Sequence, residues 1–359
     1  MIDKIKEYSS KVLFYSGILY LNSLFSKKKL TIITFHRIVP DSVKNESPNK
    51  SMMITVSQFK KLIRMISLYT HPLPLETAIL HFKIKKKFPP RSTVITFEDG
   101  YADNFTHAYP ILKKYRIPAT VFIATKYIDQ NDKWFWWEEV ENFFKQNKGE
   151  KLQPNELISP MLIDTINRLI VTKTDRISKI RTFIHDLYNF SEEERKSLIA
   201  FIRKKYTHPK AHLMLTWDQV KSMTDTFEIG SHTLNHFFLN SLSPSEISEE
   251  FTQSKSLIEK KIGKKCRNIC YPAGFITSSV IKQAIDSGYE SGVTTKPVNN
   301  SLNTNVYLLN RKDAGYFFVN NNLKRSYFFF VLSSFYDLFE LLRYCETIVG
   351  KLYYTFVKK

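Results

Sequence analysis

Short apolar runs that alternate with helical patterns limit the folds open to this chain of 359 residues more than any other feature. Each run holds four to six residues, and most runs are followed by a segment whose apolar residues recur at helical spacing. This alternation is typical of a parallel sheet whose strands are joined by helices. It predicts an α/β fold with strands at residues 30–35, 93–97, 119–123, 227–230, 268–271 and 289–294.

One long stretch interrupts this alternation. At about residues 129–214, charged helical patterns occur with few strand signals, which predicts a helical insertion. We interpret residues 30–315 as one domain that carries the insertion. The domain is flanked by an N-terminal amphipathic segment, residues 1–29, and by a C-terminal tail rich in aromatic and basic residues, 316–359.

An excess of positive charge predicts an anionic partner, because 53 Lys and Arg face 34 Asp and Glu and give a formal net charge of +19. Residues 12–26 are uncharged and precede three lysines, but a bilayer-spanning helix needs roughly 20 apolar residues. We expect an interfacial or a buried helix there, and residues 326–357 either dock on a membrane surface or pack on the domain. A nucleic-acid partner is not expected, since neither zinc-finger spacing nor an RNP-like aromatic motif occurs.

Chemistry-bearing side chains follow two of the predicted strands, at the sheet edge where parallel α/β folds place their active sites. Glu98 and Asp99 come directly after one strand, and such neighbouring carboxylates repel each other unless a cation lies between them. His232 and His236 follow another strand and share one face if the segment turns helically. A carboxylate and two imidazoles form a ligand set that leaves room for water and substrate, so the sequence predicts a catalytic divalent-metal site.

A third strand end carries a Pro-x-Gly turn, formed by Pro272, Ala273 and Gly274. A backbone N–H of this turn could face a reacting oxygen, although the turn by itself is ordinary.

Together these motifs resemble the polysaccharide deacetylase family, which is also called the NodB-homology domain. Two weaker segments resemble one bacterial branch of the same family. The matching segments are TFEDGY at 96–101, SHTLNH at 231–236, YPAG at 271–274 and GYESGVTT at 288–295, with TFHRI at 34–38 and LTWDQ at 215–219 as the weaker two. The resemblance covers about residues 30–315 apart from the insertion. It implies a distorted (β/α) barrel and removal of N-acetyl groups from hexosamine-containing glycans.

Carried over to this sequence, the resemblance makes Asp99, His232 and His236 the metal ligands, with zinc as the expected ion. It also makes Glu98 the catalytic base. The oxyanion would lie near the metal and the backbone N–H around Ala273, with Tyr271 in the same turn on the substrate side.

This chain departs from the family pattern at three positions. Glu98 stands where the family has aspartate and is one methylene longer. Cys270 stands where many relatives have an arginine that orients the base, and either Arg267 or Arg311 is a candidate substitute. The family's late Leu-x-His has no counterpart, so His36 is the candidate proton donor, unless it is a strand-end histidine that is simply hydrogen-bonded.

Four aromatic residues follow Lys133 in the segment Lys-Trp-Phe-Trp-Trp at 133–137. They predict either a surface on which sugar rings stack or an anchor for the insertion. The function predicted from all these features is metal-dependent N-deacetylation of a glycan or a lipid-linked sugar in bacterial surface polysaccharide synthesis. O-deacetylation and a degenerate, non-catalytic glycan-binding protein are the alternatives, the latter motivated by Glu98, Cys270 and the missing late histidine. With three cysteines and no signal-peptide cleavage site, a cytoplasmic protein peripheral to the inner membrane is expected.

Overall fold

This computed structural model describes Val12, Ser16 and residues 29–317, except 86, 131–132, 148, 155, 157 and 207–211. Most of the predicted N-terminal segment and almost the whole predicted C-terminal tail therefore lie outside the described residues. Among the helices within the described ranges, none is both long enough and apolar enough to cross a bilayer.

The six predicted strands are present and run parallel in the main sheet, which curls into a distorted barrel. In chain order the strands are β1 (Lys29–Phe35), β2 (Arg37–Val39), β3 (Met53–Thr55), β4 (His71–Pro72), β5 (Ser92–Phe97), β6 (Ala119–Ile123), β7 (Phe227–Ser231), β8 (Asn268–Cys270), β9 (Ser291–Val293), β10 (Asn300–Ser301) and β11 (Lys312–Asp313). The central spatial order is β1-β5-β6-β7-β8-β9, with β10 antiparallel to β1 and with β2 and β3 in a separate small sheet.

Helices cover the outer face of this sheet and form the insertion. They are α1 (Asp41–Glu46), α2 (Val56–Tyr69), α3 (Leu75–Leu80), α4 (Tyr109–Tyr115), α5 (Trp136–Gln146), α6 (Pro160–Val171), α7 (Arg176–Asp186), α8 (Glu192–Lys205), α9 (Trp217–Met223), α10 (Pro244–Ile262), α11 (Ser278–Asp286) and α12 (Ala314–Phe317). Capping boxes begin four of them, because a Ser or Thr accepts from the third backbone N–H and a Gln or Glu reaches back.

Side chains point alternately to the two faces of each strand, so that the apolar residues form one layer against the outer helices and another inside the barrel. In β5, Ile95 and Phe97 pack with the outer helices, whereas Val94 points into a second cluster with Phe122 of β6 and Val293 of β9. Helix α3 adds Leu75 to this inner cluster. The inner cluster therefore fills the barrel and leaves the carboxyl ends of the strands to carry polar residues.

The gap between β9 and β1 is spanned by residues 309–313. Leu309 bridges to Val293 of β9, and Lys312 and Asp313 pair with Ile33 and Thr34 of β1. This closing segment brings the side chain of the intervening residue, Arg311, to the carboxyl end of the barrel.

Between β6 and β7, helices α5–α8 pack around an apolar cluster of their own, which includes Phe143, Ile166 and Phe183. The same cluster contains Tyr101, which follows β5 directly. The insertion is therefore in contact with the end of the barrel where the acidic residues lie.

Candidate metal centre and active site

Glu98 and Asp99 lie directly after β5, and the backbone turns sharply there so that their carboxylates point in different directions. Asp99 has a φ of 72° and Gly100 a φ of 89°, in the left-handed region that Asp tolerates better than most residues and Gly adopts freely. The Gly100 N–H donates to the Glu98 carbonyl at 2.8 Å. Both side chains are buried, with 5% and 2% of their surface exposed.

His232 and His236 follow β7 in an irregular loop, and the helical turn that would put them on one face is not formed. Instead, Thr233 and His236 have φ values of 67° and 60°. Glu250 of α10 pins the loop, because its carboxylate accepts from the backbone N–H groups of Leu234 and Asn235 at 2.9 and 2.8 Å. The two imidazoles still meet, with ring centroids 4.6 Å apart.

Asp99, His232 and His236 converge on one point. The Asp99 Oδ1 atom lies 3.3 Å from His232 Nε2 and 3.5 Å from His236 Nε2. These ligand atoms all lie within 4.8 Å of one another. Among the described residues, the buried Oδ2 atom of Asp99 has no hydrogen-bond partner, which is costly unless a cation is bound there. The donor set and this orphaned oxygen fit a divalent metal ion.

Contacts on the far side of each imidazole orient the nitrogen that faces Asp99. His232 Nδ1 lies 2.8 Å from the Cys270 carbonyl, so Nδ1 carries the proton and Nε2 points at Asp99. The His236 ring packs edge-on against Phe135 and Trp137, at centroid distances of 5.1 and 5.3 Å. Aromatic residues of the insertion therefore anchor the candidate ligand His236, which favours the anchoring interpretation for these two side chains.

Charge on the two histidines differs. Burial, and then the neighbouring His232, lower the pKa of His236 to about 4, so that it is a neutral imidazole at neutral pH. Burial acts against protonation of His232 too, but Cys270 and the hydrogen bond to Asp99 outweigh it and raise its pKa. A metal ion would take the place of the proton between His232 and Asp99.

Glu98 lies beside this cluster as a buried, ionised carboxylate. Its Oε1 accepts from Thr34 Oγ1 at 2.8 Å and pairs with Arg311 Nη1 at 2.7 Å. Its Oε2 lies 3.5 Å from His232 Nε2. Burial alone would raise the pKa of Glu98, but the Arg311 guanidinium and the neighbouring histidines hold it well below its usual range.

Arg311, rather than Arg267, is the arginine at the site. Arg311 is 1% exposed and donates Nε to the Thr294 carbonyl at 2.8 Å, while Nη2 lies 3.3 Å from Cys270 Sγ. Arg267 precedes β8 at the opposite end of the strand, where it pairs with Glu290 and with Glu76 at 3.4 Å. Of the two candidates, only Arg311 lies where it can orient Glu98.

His36 lies at the edge of the site, between two carboxylates. Its Nε2 is 3.8 Å from Glu98 Oε2, and its Nδ1 is 3.6 Å from Asp313 Oδ2. Burial opposes protonation, but Glu98, Asp313 and Asp99 together raise the pKa of His36. Asp313 was not predicted, because it belongs to no motif and reaches the site only through the closing segment.

The Pro-x-Gly turn contributes backbone rather than the tyrosine side chain. Tyr271 is fully buried, its ring faces Phe251, and a Cβ at Gly292 would come within 2.2 Å of its hydroxyl. The prediction that Tyr271 contacts substrate is therefore wrong for its side chain, because the residue points into the core. Ala273 is exposed at the turn with a φ of 53°, so its backbone remains accessible.

Comparison with known proteins agrees with this geometry. Residues 85–150 and 170–292, more than half of the chain, match the sequence profile of the family described as Polysaccharide deacetylase. This chain belongs to the polysaccharide deacetylase family. The predicted α/β fold with a distorted barrel and a helical insertion is thereby confirmed, and the family supports a hydrolase of the deacetylase type.

Individual polysaccharide deacetylase relatives are distant in sequence. The chain is 24% identical over 286 residues to YxkH of Bacillus subtilis (strain 168), covering 79% of this chain and 70% of that protein. It is 23% identical over 262 residues to the poly-beta-1,6-N-acetyl-D-glucosamine N-deacetylase of Staphylococcus aureus (strain MSSA476), covering 73% and 68%. The solved structure of Streptococcus pyogenes deacetylase PplD in complex with acetate is similar in fold, with a TM-score of 0.55 and 18% identity, and the match covers 86% of this chain and 99% of that chain.

Proposed function

We propose that this protein is a divalent-metal-dependent deacetylase that removes N-acetyl groups from a hexosamine-containing glycan or sugar. The observation that carries the proposal is the convergence of Asp99, His232 and His236 with an ionised Glu98, whose Oε2 lies 3.5 Å from His232 Nε2. The name of the Staphylococcus aureus relative, an N-deacetylase of poly-beta-1,6-N-acetyl-D-glucosamine, supports this substrate class.

Asp99, His232 and His236 would hold the ion, and zinc suits their mixed nitrogen and oxygen donors. A divalent ion bound there supplies Lewis acidity, which polarises the amide carbonyl and makes a water molecule more acidic. The remaining steps belong to the protein. Glu98 accepts the proton of the attacking water, and the backbone N–H near Ala273 stabilises the oxyanion.

His36 gives a proton to the leaving amine. The environment raises the pKa of His36 and lowers that of Glu98, so the acid is protonated and the base ionised in the same pH range. Arg311 pairs with Glu98, and His36 Nε2 lies 3.8 Å from Glu98 Oε2. These two residues take the roles of the base-orienting arginine and the late histidine, which the sequence lacks at the usual positions. Their placement supports catalysis over glycan binding alone.

The test measures acetate release from N-acetylglucosamine oligomers and from matched O-acetylated sugars, with zinc and with a chelator. We expect zinc-dependent release from the N-acetylated substrates. Asp99→Asn should lose both metal binding and activity, whereas Glu98→Gln should keep the metal and lose about 10²–10⁴-fold in kcat. His71→Gln, at an exposed histidine away from the site, is the control.

Release from O-acetylated sugars only would replace N-deacetylation by O-deacetylation. Metal-loaded protein that releases acetate from neither class would refute the proposal. The location at the inner membrane surface stays a prediction.

A further inference from the structure

A cleft of about 260 Å³ opens beside the metal ligands, between the insertion and the loop that carries His236. Its walls come from α8, from residues just before α5, and from residues 235–238. Because His236 lines it, whatever occupies the cleft lies next to the reacting group.

One face of α8 forms a wall of this cleft. Glu192, Lys196, Ile199 and Arg203 follow one another at spacings of three or four residues, and Arg195 lies beside Lys196, so that all five side chains reach the cleft. The helix therefore presents a row of cations towards the active site.

Positive charge exceeds negative charge among the lining residues, with Lys133, Arg195, Lys196 and Arg203 against Glu192. Three of the cations pair with carboxylates: Arg195 with Glu192 at 2.8 Å, Arg203 with Glu139 at 2.7 Å and Lys196 with Glu192 at 3.9 Å. The Lys196 pair is the longest of the three, and the Lys196 side chain is 60% exposed. Lys133 and Lys196 are thus the cations best placed to meet a ligand.

The electrostatic potential at the Lys133 side chain is positive. Burial, and then the nearby cations Lys126 and Arg203, lower the pKa of Lys133. An anionic ligand would relieve this repulsion and raise the pKa of Lys133 again.

Aromatic rings lie next to these cations. The Lys133 ammonium is 4.8 Å from the centroid of the Tyr127 ring, and the Lys196 ammonium is 5.0 Å from that of Phe237. Trp136 also lines the cleft and is only half-buried. Rings and cations together suit a sugar, because the apolar face of a sugar ring packs on an aromatic ring while the cations bind its charged substituent.

We propose that this cleft binds a phosphate or carboxylate carried by the acylated sugar, so that the substrate is an anionic glycan or sugar phosphate rather than a neutral polymer. The proposal rests on the proposed function and names its substrate class. A neutral N-acetylhexosamine polymer would offer no counter-charge to Lys133 and would leave Lys196 with only its long pair to Glu192.

Binding to the full-length protein tests this by calorimetry, with N-acetylglucosamine 1-phosphate, the corresponding N-acetylated uronic acid and neutral N-acetylglucosamine as probes. We expect the charged sugars to bind about tenfold more tightly at low salt, and the difference to narrow as salt rises. Repeating the titrations with a chelator separates the cleft from the metal, because contacts to Lys133 and Lys196 do not need the ion.

Lys133→Gln/Lys196→Gln should remove the preference, so that charged sugars bind about as weakly as neutral N-acetylglucosamine binds the same variant. The matched control is Lys113→Gln/Lys282→Gln, which removes the same charge at two exposed lysines outside the cleft. Equal affinity for charged and neutral sugars, or a preference that survives in the cleft variant, would overturn the proposal. Inorganic phosphate binding as tightly as the sugar phosphate would also overturn it, since the site would then recognise the ion alone.

Because binding is measured without turnover, the two proposals fail separately. If the protein prefers charged sugars but releases no acetate, the deacetylase function is refuted and anion binding in the cleft stands. If it releases acetate from neutral oligomers and shows no such preference, anion binding in the cleft is refuted and the deacetylase function stands.

Discussion

Glu98 keeps its negative charge in a buried position because Arg311 lies against it, with Nη1 and Oε1 2.7 Å apart. Thr34 donates a second hydrogen bond to the same oxygen. A buried carboxylate that loses its cation is far more costly than an exposed one, so this pair is the most sensitive contact of the site.

We predict that Arg311→Met lowers the free energy of unfolding by about 3–5 kcal/mol, because it leaves the Glu98 carboxylate buried and uncompensated. Arg311→Lys keeps the charge but not the fork of N–H donors, and should cost less. Denaturant unfolding at neutral pH with a chelator measures both. If the two variants lose the same free energy of unfolding, Arg311 stabilises the fold through packing and not through its charge.

The cost of Arg311→Met should also depend on pH. The folded pKa of Glu98 lies below its ordinary value of 4.5, so the stability from the ion pair is fully present above that value and disappears as the pH falls further. The unfolding free energies of wild type and variant should therefore begin to converge as the pH falls below about 4.5, and the gap should shrink steadily in stronger acid. A gap that stays constant as the pH falls would contradict the ion pair as its source.

At this scale, positions after strands were predictable and long-range contacts were not. Asp99 and His232 follow apolar runs that had to be strands, so their place at one edge of the sheet could be inferred. Choosing between Arg311 and Arg267 needed the path of residues 309–313, which no local pattern specifies. Tyr271 was misjudged because neighbouring residues at a strand end face opposite ways.

Strand β7 joins the site to the other end of the barrel. Its carboxyl end leads to the histidines, whereas Glu228 near its start accepts the Glu76 backbone N–H at the beginning of α3, at 3.2 Å, and the Thr120 hydroxyl at 3.0 Å. Burial, and then Glu76, raise the pKa of Glu228 to about 7.

We predict that Glu228→Gln removes a pH dependence of stability. A carboxyl group with a raised folded pKa stabilises the fold below its ordinary value of 4.5 and loses that contribution as the pH rises through about 7. Relative to the variant, wild type should therefore lose on the order of 2 kcal/mol between about pH 5 and 8. Parallel stability curves for the two proteins would show that Glu228 titrates normally.

The starts of two helices can be recognised from the sequence, because Ser191 with Glu194 and Thr216 with Gln219 have capping-box spacing and form these boxes in the structure. The loop from His232 to His236 cannot be recognised in this way, since its two left-handed residues depend on the tertiary contact with Glu250.

At the scale of the whole molecule, the insertion and the barrel share one boundary at the candidate metal site. Trp137 of α5 stacks on Phe135, contacts the His236 ring and donates Nε1 to the Tyr101 hydroxyl at 3.1 Å. Tyr101 in turn donates to Glu138 at 3.0 Å. The sequence predicted that an insertion exists, but its placement over the site depends on contacts between residues far apart in the chain.

We predict that Trp137→Leu weakens zinc binding about tenfold, because the His236 ring loses the wall that orients it. Phe183→Leu removes an aromatic ring from the same apolar cluster without touching His236, so it should lower stability and leave metal affinity unchanged. Competition with a chromogenic chelator measures both affinities. If the two variants lose zinc equally, the effect is general loosening of the insertion.

The segment that closes the barrel also sets an order of events during translation. All three proposed ligands, the last of them His236, are translated before residues 309–313, which fill the gap between β9 and β1. A product that stops just before residue 309 would lack the guanidinium that pairs with the Glu98 carboxylate.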